Sequence, residues 1–257
     1  ELNNSNALIR IYSRMVSCSF IVLAVMAYFL FVDIKCGIVQ TCFIAFYLFL
    51  FTTYQSRASV GRVFYAFAML GIASIYYVQI LFFIPVIWVL MATNIMNGCA
   101  RVYVASLLGL LLPYWFATGY YAFTDQISLI GDHFTALLDF DSQSVWLDIP
   151  LVQIVTIVFI ALLAVVGMIN FRLNNYRDKI RTRMLFDFFS VMIIFTMIFM
   201  ILQPTNMHFL LAMLIVSASP LIGHFISLTN SLITNLIFCF MLVATLALTV
   251  CNVWIQF

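Results

Sequence analysis

Long apolar runs separated by short polar segments dominate the sequence. The first run follows Arg14 and continues to about Val32, and a second run extends from about Ile38 to Tyr54. A hydrocarbon core about 30 Å thick is crossed by about 20 apolar residues, so each run predicts one transmembrane helix. The stretch Val63–Met96 is too long for one span, and we interpret it as a tight hairpin of two helices with polar residues at its centre.

Five further runs continue the same pattern to the end of the chain. They extend over about Val102–Phe123, Pro150–Asn170, Leu185–Leu202, Met207–Ser227 and Leu232–Trp254. The pattern therefore predicts an all-α, polytopic transmembrane helix bundle of about nine spans. We interpret residues 1–257 as a single integral membrane domain.

The composition excludes the soluble classes of protein. Hydrophobic residues make up 66% of the 257 residues, charged residues only 8%, and the mean hydropathy is +1.16. Soluble domains carry about 25% charged residues. The spans leave no room for a soluble catalytic domain of about 100 residues. The six cysteines lie inside or at the ends of apolar runs without a C-x-x-C pair, so the sequence predicts no metal site and no cofactor.

The distribution of charge predicts the orientation of the chain. The net charge of +2 gives no reason to expect a nucleic-acid partner. Cytoplasmic loops of membrane proteins are enriched in Lys and Arg, and this asymmetry sets topology. The arginines cluster near residues 10–14, 57–62, 101 and 172–183, whereas residues 124–149 contain five aspartates and no Lys or Arg. We therefore expect a bacterial inner-membrane protein with a cytoplasmic N-terminus, a periplasmic C-terminus, an acidic extracytoplasmic loop at 124–149 and a basic cytoplasmic loop at 171–184.

The acidic loop holds the candidate catalytic residues. An external carboxylate can deprotonate an acceptor hydroxyl, and a pair of carboxylates can hold a divalent cation on a diphosphate. The alternative is a solvated acidic face. The candidates are Asp125, Asp132, His133, Asp139 and Asp141.

The basic loop holds candidates for contact with lipid headgroups or phosphate. Each basic residue near an anionic membrane surface contributes about 1 kcal/mol of attraction. Topology determination explains the same residues equally well. The candidates are Arg101, Arg172, Arg177, Lys179, Arg181 and Arg183.

Small residues at a spacing of four predict close helix contacts. Ala105 and Gly109 form one such stripe, and Ser219, Gly223 and Ser227 form another. Small residues let two transmembrane backbones approach closely. A substrate groove is the alternative interpretation of the second stripe.

Ionisable residues are placed near the predicted span ends. A charge deep in hydrocarbon is costly and is rarely kept without a function. Asp33, Lys35, Asp187, His208 and His224 all lie within about one turn of a predicted end. Proton-coupled transport and ion conduction are therefore not favoured.

Three apolar runs stand out in the segment Gly61–Phe123. They are GRVFYAF (Gly61–Phe67), ILFFIPVIWVLMATN (Ile80–Asn94) and RVYVASLLGLLLPYW (Arg101–Trp115). With these runs the segment resembles a family of uncharacterised polytopic inner-membrane proteins of Gram-negative anaerobes. In that family an arginine opens a span that continues to a glycine and a Pro-Tyr pair, matching Arg101, Gly109, Pro113 and Tyr114. The layout is also similar to that of multi-pass glycosyltransferases and polysaccharide polymerases that use lipid-linked sugars.

Two functional hypotheses follow from the sequence. In the first, the protein is a non-catalytic subunit or scaffold of a cell-envelope assembly, whose partners are membrane lipids and other membrane or envelope proteins. In the second, it is an enzyme or flippase that acts on a lipid-linked glycan at the extracytoplasmic face. The short chain and the near absence of charged residues inside spans favour the first hypothesis.

Overall fold

All regular secondary structure in the described part of the chain is helical. The computed structural model describes residues 3, 8–10, 13–56, 59–138, 149–228 and 232–256. The α-helices with described boundaries are α1 (Met15–Met26), α2 (Ile34–Phe51), α3 (Val60–Tyr76), α4 (Phe83–Thr93), α5 (Ala100–Phe123), α6 (Ser128–Thr135), α7 (Leu151–Asn174), α8 (Ile180–Leu202), α9 (Met207–Leu228) and α10 (Leu232–Gln256).

Six of these helices are long and apolar enough to cross a membrane, namely α2, α5, α7, α8, α9 and α10. Three shorter apolar helical segments occupy the other predicted positions: α1, α3 and Val78–Thr93. The prediction of an all-α, multi-pass membrane protein is confirmed. The predicted count of nine spans and the predicted orientation of the termini are not confirmed.

Breaks in the backbone shorten the first and third apolar segments. Helix α1 ends where Ala27 adopts φ −90° and ψ 50°, and the chain continues as a 3₁₀-helix over Tyr28–Val32. Helix α3 ends at Tyr77, whose backbone is extended, within the stretch where the sequence predicts a turn. A helix of 17 residues, such as α3, is about 25 Å long, which is shorter than the hydrocarbon core.

The chain packs as two compact units. The first unit contains Asn3–Gly37 and Asp141–Phe257, and the second contains Ile38–Phe140. Helix α2 begins in the first unit and belongs mostly to the second.

Helix α9 is the core of the first unit. Of its apolar window, 89% is buried, against 17% for α10 at the periphery. Helix α1 crosses α9 at Gly223, where an added Cβ would lie 2.9 Å from the Val16 backbone. Helix α7 approaches α9 at Gly167, which faces Leu221. Gly223 therefore sets the distance between the axes of α1 and α9, and Gly167 sets the distance between the axes of α7 and α9.

Asn252 of α10 ties three helices of the first unit together. Its side-chain amide donates hydrogen bonds to the Met26 carbonyl (2.9 Å) and to the Thr156 hydroxyl (2.8 Å), and all three groups are buried. Because α1 ends at Met26, this carbonyl needs a hydrogen-bond donor from outside the helix. The Asn252 side-chain amide is that donor.

The second unit is built on the pairing of α3 with α5. The two backbones meet at Gly109, where an added Cβ would clash with the Phe64 carbonyl and lie 3.2 Å from the Ala68 nitrogen. A second glycine, Gly71 of α3, faces the Leu110 carbonyl and Pro113 in the same way. Close backbone approach at two points leaves the two helices in contact along most of their length.

The Gly109 contact is tested by a matched pair of glycine substitutions in α5. Gly109→Ala pushes a methyl group into the Phe64 backbone and should cost about 1–3 kcal/mol of stability. Gly119→Ala places the same methyl group in open space, so helix propensity should make it neutral or slightly stabilising. Thermal unfolding in detergent measures both, and equal midpoints for the two variants would contradict the close approach.

Candidate functional site

An apolar groove runs along the surface between α3 and α5. Its volume is about 650 Å³. The Pro113 ring and the aromatic rings of the two helices form its walls. Its lining residues are Phe64, Tyr65, Ala68, Met69, Ile72, Ile75, Leu112, Pro113, Phe116, Ala117, Tyr120 and Tyr121.

A smaller and more polar pocket continues the groove towards α6. This pocket has a volume of about 320 Å³ and shares Ile75, Ala117 and Tyr121 with the groove. Its other lining residues include Thr118 and His133. The groove and the pocket therefore adjoin at these three residues, and we call the two together the cavity.

His133 is the predicted site residue that lines this cavity. The short helix α6 carries it, and its ring packs near Tyr114 and Phe134 with centroid distances of 6.0 and 5.7 Å. The Nε2 atom is buried and has no hydrogen-bond partner among the described residues. Burial lowers the pKa of His133, and a hydrogen bond to the Ser74 backbone acts in the opposite direction. The imidazole is therefore neutral at pH 7 and can accept a proton.

Tyr114 is held in place by a chain of hydroxyl groups. Its hydroxyl donates to Ser74 Oγ at 2.8 Å, and Ser74 Oγ donates to the Gly71 carbonyl at 2.8 Å. Nearby, the Gln79 amide donates to the Ala136 carbonyl at 3.0 Å. These bonds fix α3, α5 and the end of α6 around the polar pocket.

The other acidic-loop candidates do not line the cavity or lie outside the described residues. Asp125 and Asp132 are exposed, and Asp125 has φ 53°. Asp139 and Asp141 lie outside the described residues. Within the described part of the chain, no group of three or more His, Cys, Asp or Glu side chains could hold a metal ion.

The basic candidates lie at helix ends. Arg101 is exposed in the first turn of α5, and Arg177 ends the 3₁₀-helix Asn175–Arg177. Arg172 Nη2 lies 3.4 Å from Asp187 Oδ1. Lys179 is exposed, whereas Arg181 and Arg183 are half-buried.

The predicted small-residue stripes lie in different units. Ala105 is buried, one turn before Gly109, in the second unit. In the first unit, Ser219 Oγ donates to the Ile215 carbonyl at 2.8 Å within its own helix. Ser227 Oγ donates to the Gly223 carbonyl at 2.7 Å and lies 3.1 Å from Ser13 Oγ.

The structure also shows a buried charge cluster that the sequence pattern missed. Asp178, in the link between α7 and α8, contacts Arg10 (Nε–Oδ1 2.8 Å) and His224 of α9 (Nε2–Oδ2 3.1 Å). The side chains of Asp178 and His224 are 0% and 1% exposed. His224 lies within about one turn of the end of α9, as the sequence predicts, but the structure buries it against Asp178. The sequence held one signal of this cluster, which is that Asp178 is a single carboxylate among the basic residues of its loop.

The protonation state of His133 can be measured directly. We expect its pKa to lie below the ordinary value of about 6.5, because burial disfavours the imidazolium. Histidine-selective NMR in micelles measures it, since the chain has only three histidines and His208→Gln and His224→Gln assign the other two signals. Tyr114→Ala, which opens the pocket to water, should return the pKa towards 6.5. A wild-type pKa at or above 6.5 would contradict the buried placement.

Comparisons of this chain with protein-family models, with curated proteins and with solved structures found no match. The resemblance carried by Gly61–Phe123 is therefore neither supported nor refuted.

Proposed function

We propose that the protein is a nine-span bacterial inner-membrane protein that binds an amphiphilic lipid with a hydroxyl-bearing headgroup, of the lipid-linked glycan class, at its extracytoplasmic face. The observation that carries this proposal is that the apolar groove shares Ile75, Ala117 and Tyr121 with the polar pocket that His133 lines. The cytoplasmic N-terminus and periplasmic C-terminus are part of the proposal, supported by the distribution of arginines.

The groove suits a hydrocarbon chain. Its volume of about 650 Å³ falls in the range of ligand sites, and apolar side chains and aromatic rings form its walls. It lies on the surface between two apolar helices, so a lipid chain can enter sideways from the bilayer. The chain would run along α3 and α5.

The pocket suits a neutral polar headgroup. Thr118 and Tyr121 carry hydroxyl groups, and His133 presents a neutral imidazole. No Lys or Arg occurs among the described residues that line it. Phosphate groups are recognised by cationic side chains, whereas sugar hydroxyls pair with hydroxyl and imidazole groups. The lining therefore favours the hydroxyl-bearing part of the ligand.

The aromatic residues of α5 support a position of the pocket at a membrane interface. Trp115, Phe116, Tyr120 and Phe123 are all more than 60% exposed. Tyrosine and tryptophan concentrate at the headgroup level of a bilayer. The adjacent loop at 124–149 contains five aspartates and no Lys or Arg, which supports an extracytoplasmic position for it.

His133 also supports the enzyme or flippase hypothesis. A neutral imidazole beside a bound hydroxyl can accept its proton, which is the role of a general base in transfer to that hydroxyl. In a flippase the same imidazole would only bind the headgroup. The binding step is common to both roles.

Photolabelling with lipid probes tests the binding proposal. A diazirine-bearing monoglycosyl diacylglycerol should label peptides of α3 and α5 in the full protein. Ala117→Trp fills the position shared by groove and pocket and should reduce this labelling about tenfold. Ala122→Trp, exposed on the same helix and outside the lining, is the matched control and should leave it unchanged.

His133→Gln then tests the headgroup contact. Loss of a hydrogen bond worth about 0.5–1.5 kcal/mol should lower labelling by the glycolipid about threefold to tenfold. Labelling by a diazirine-bearing phosphatidylcholine, whose headgroup has no hydroxyl group, should change little. Equal labelling of Ala117→Trp and Ala122→Trp, or an equal effect of His133→Gln on both lipids, counts against the proposal.

A second proposal is the subunit or scaffold role. It is supported by α10, which leaves most of its apolar window exposed in the described chain, including Phe240, Val243 and Val250. A partner helix packed on this face should be retained by native mass spectrometry after extraction of the full protein in a mild detergent. Leu246→Trp should displace that partner, and Trp254→Leu at the helix end is its control. A protein that carries only lipid in this experiment does not have the subunit role.

A further inference from the structure

The first unit buries one carboxylate between a guanidinium group and an imidazole ring. Asp178 Oδ1 lies 2.8 Å from Arg10 Nε, and Asp178 Oδ2 lies 3.1 Å from His224 Nε2. Because an ionised carboxylate only accepts hydrogen bonds, Nε2 carries the hydrogen in the neutral imidazole. The other ring nitrogen, Nδ1, is buried and has no hydrogen-bond partner among the described residues. A further proton adds there.

The cluster balances only one positive charge. Asp178 is fully buried, and a buried carboxylate without a partner is costly, so Arg10 serves as its counter-ion. A proton on His224 creates a second cation beside the same carboxylate. Arg10 and the imidazolium then repel each other in a region of low dielectric constant, where such repulsion is strong. The two cations compete for one site.

His224 is held more firmly than Arg10. The imidazole packs edge-on between the rings of Phe171 and Phe186, with centroid distances of 5.3 and 5.0 Å. The Arg10 side chain is 36% exposed, and its guanidinium can regain water when it leaves. The competition therefore ends with the displacement of Arg10.

The remaining charged residues around His224 do not offer a second counter-ion. Five of them are cationic, and the one carboxylate among them, that of Asp187, lies against Arg172. On the elements that pack around His224, these residues are Arg14 before α1, Arg172 at the end of α7, Asp187 of α8, Lys179 in the link, and Arg181 and Arg183 at the start of α8.

Arg10 belongs to a segment docked on the first unit. We call residues 8–10, 13 and 14 the N-terminal segment. Leu8 and Ile9 are buried, their backbone amides bond to the Asn3 carbonyl and the Asn3 side chain, and Ser13 Oγ lies 3.1 Å from Ser227 Oγ. Loss of the Arg10 contact removes the one ion pair that this segment makes among the described residues.

We infer that Asp178 and His224 form a buried proton-binding site, and that uptake of a proton from water by His224 displaces Arg10 and releases the N-terminal segment. The site lies in the first unit and does not depend on the lipid cavity of the second.

Hydrogen–deuterium exchange of the full protein in nanodiscs tests this inference. At pH 5, the peptide that contains residues 8–10 should exchange at least about tenfold faster in the wild type than in His224→Gln. At pH 8 the two proteins should exchange equally. Comparison of one peptide at one pH cancels the chemical pH dependence of exchange. Arg10→Gln should be fast at both pH values, and Arg14→Gln, its matched control, should behave as the wild type does.

Equal exchange of the wild type and His224→Gln at pH 5 overturns the proton-binding site. Slow exchange of Arg10→Gln at both pH values overturns the role of Arg10. Thermal unfolding checks that each variant is folded. If His224→Gln does not fold, His224→Phe replaces it, because an apolar ring fits between Phe171 and Phe186 and still leaves Arg10 paired with Asp178. The exchange expected for His224→Phe at each pH is the same as that expected for His224→Gln.

Discussion

An apolar surrounding leaves every backbone amide and carbonyl to be satisfied inside the protein, and the fold depends on this constraint. Continuous helices meet it by themselves, which explains why the regular structure of the described chain is helical. A break in a helix leaves carbonyls that need other donors. At Met26, where α1 ends, the carbonyl accepts a hydrogen bond from the Asn252 side-chain amide. Buried hydroxyl groups inside helices, such as that of Ser219, instead donate to a carbonyl one turn earlier in the same helix.

The same constraint explains how helices pack here. Without water to drive association, transmembrane helices gain stability from close contact, and glycine permits it. Gly109 brings α5 against α3 in the second unit, and Gly223 brings α9 against α1 in the first. The contact in the second unit also forms the groove that we propose for a lipid. Pro113 and the aromatic rings beside it line this groove.

Two sites of different chemistry emerge, one in each unit. The cavity of the second unit combines a hydrocarbon-sized groove with hydroxyl groups and a neutral imidazole, which suits an amphiphile. The cluster of the first unit combines one carboxylate with a guanidinium cation and an imidazole, and we propose that the imidazole takes up a proton. Both use a histidine whose second ring nitrogen is free to react, and in both the surrounding aromatic rings hold the imidazole in place.

The sequence by itself determined that this is an all-helical, multi-pass membrane protein, because apolar runs of about 20 residues have no other stable arrangement. It also located the interruption near Tyr77, since polar residues interrupt the apolar run there. It did not predict the early end of α1 at Met26, because the donor that satisfies that carbonyl, Asn252, lies 226 residues away. His133 was a candidate from its loop, but only tertiary structure placed it beside Tyr114 and a groove. Asp178 and His224 are 46 residues apart, and no local pattern reveals that they meet. Periodicity reports which residues are apolar, whereas pairing between distant polar groups depends on how the helices pack.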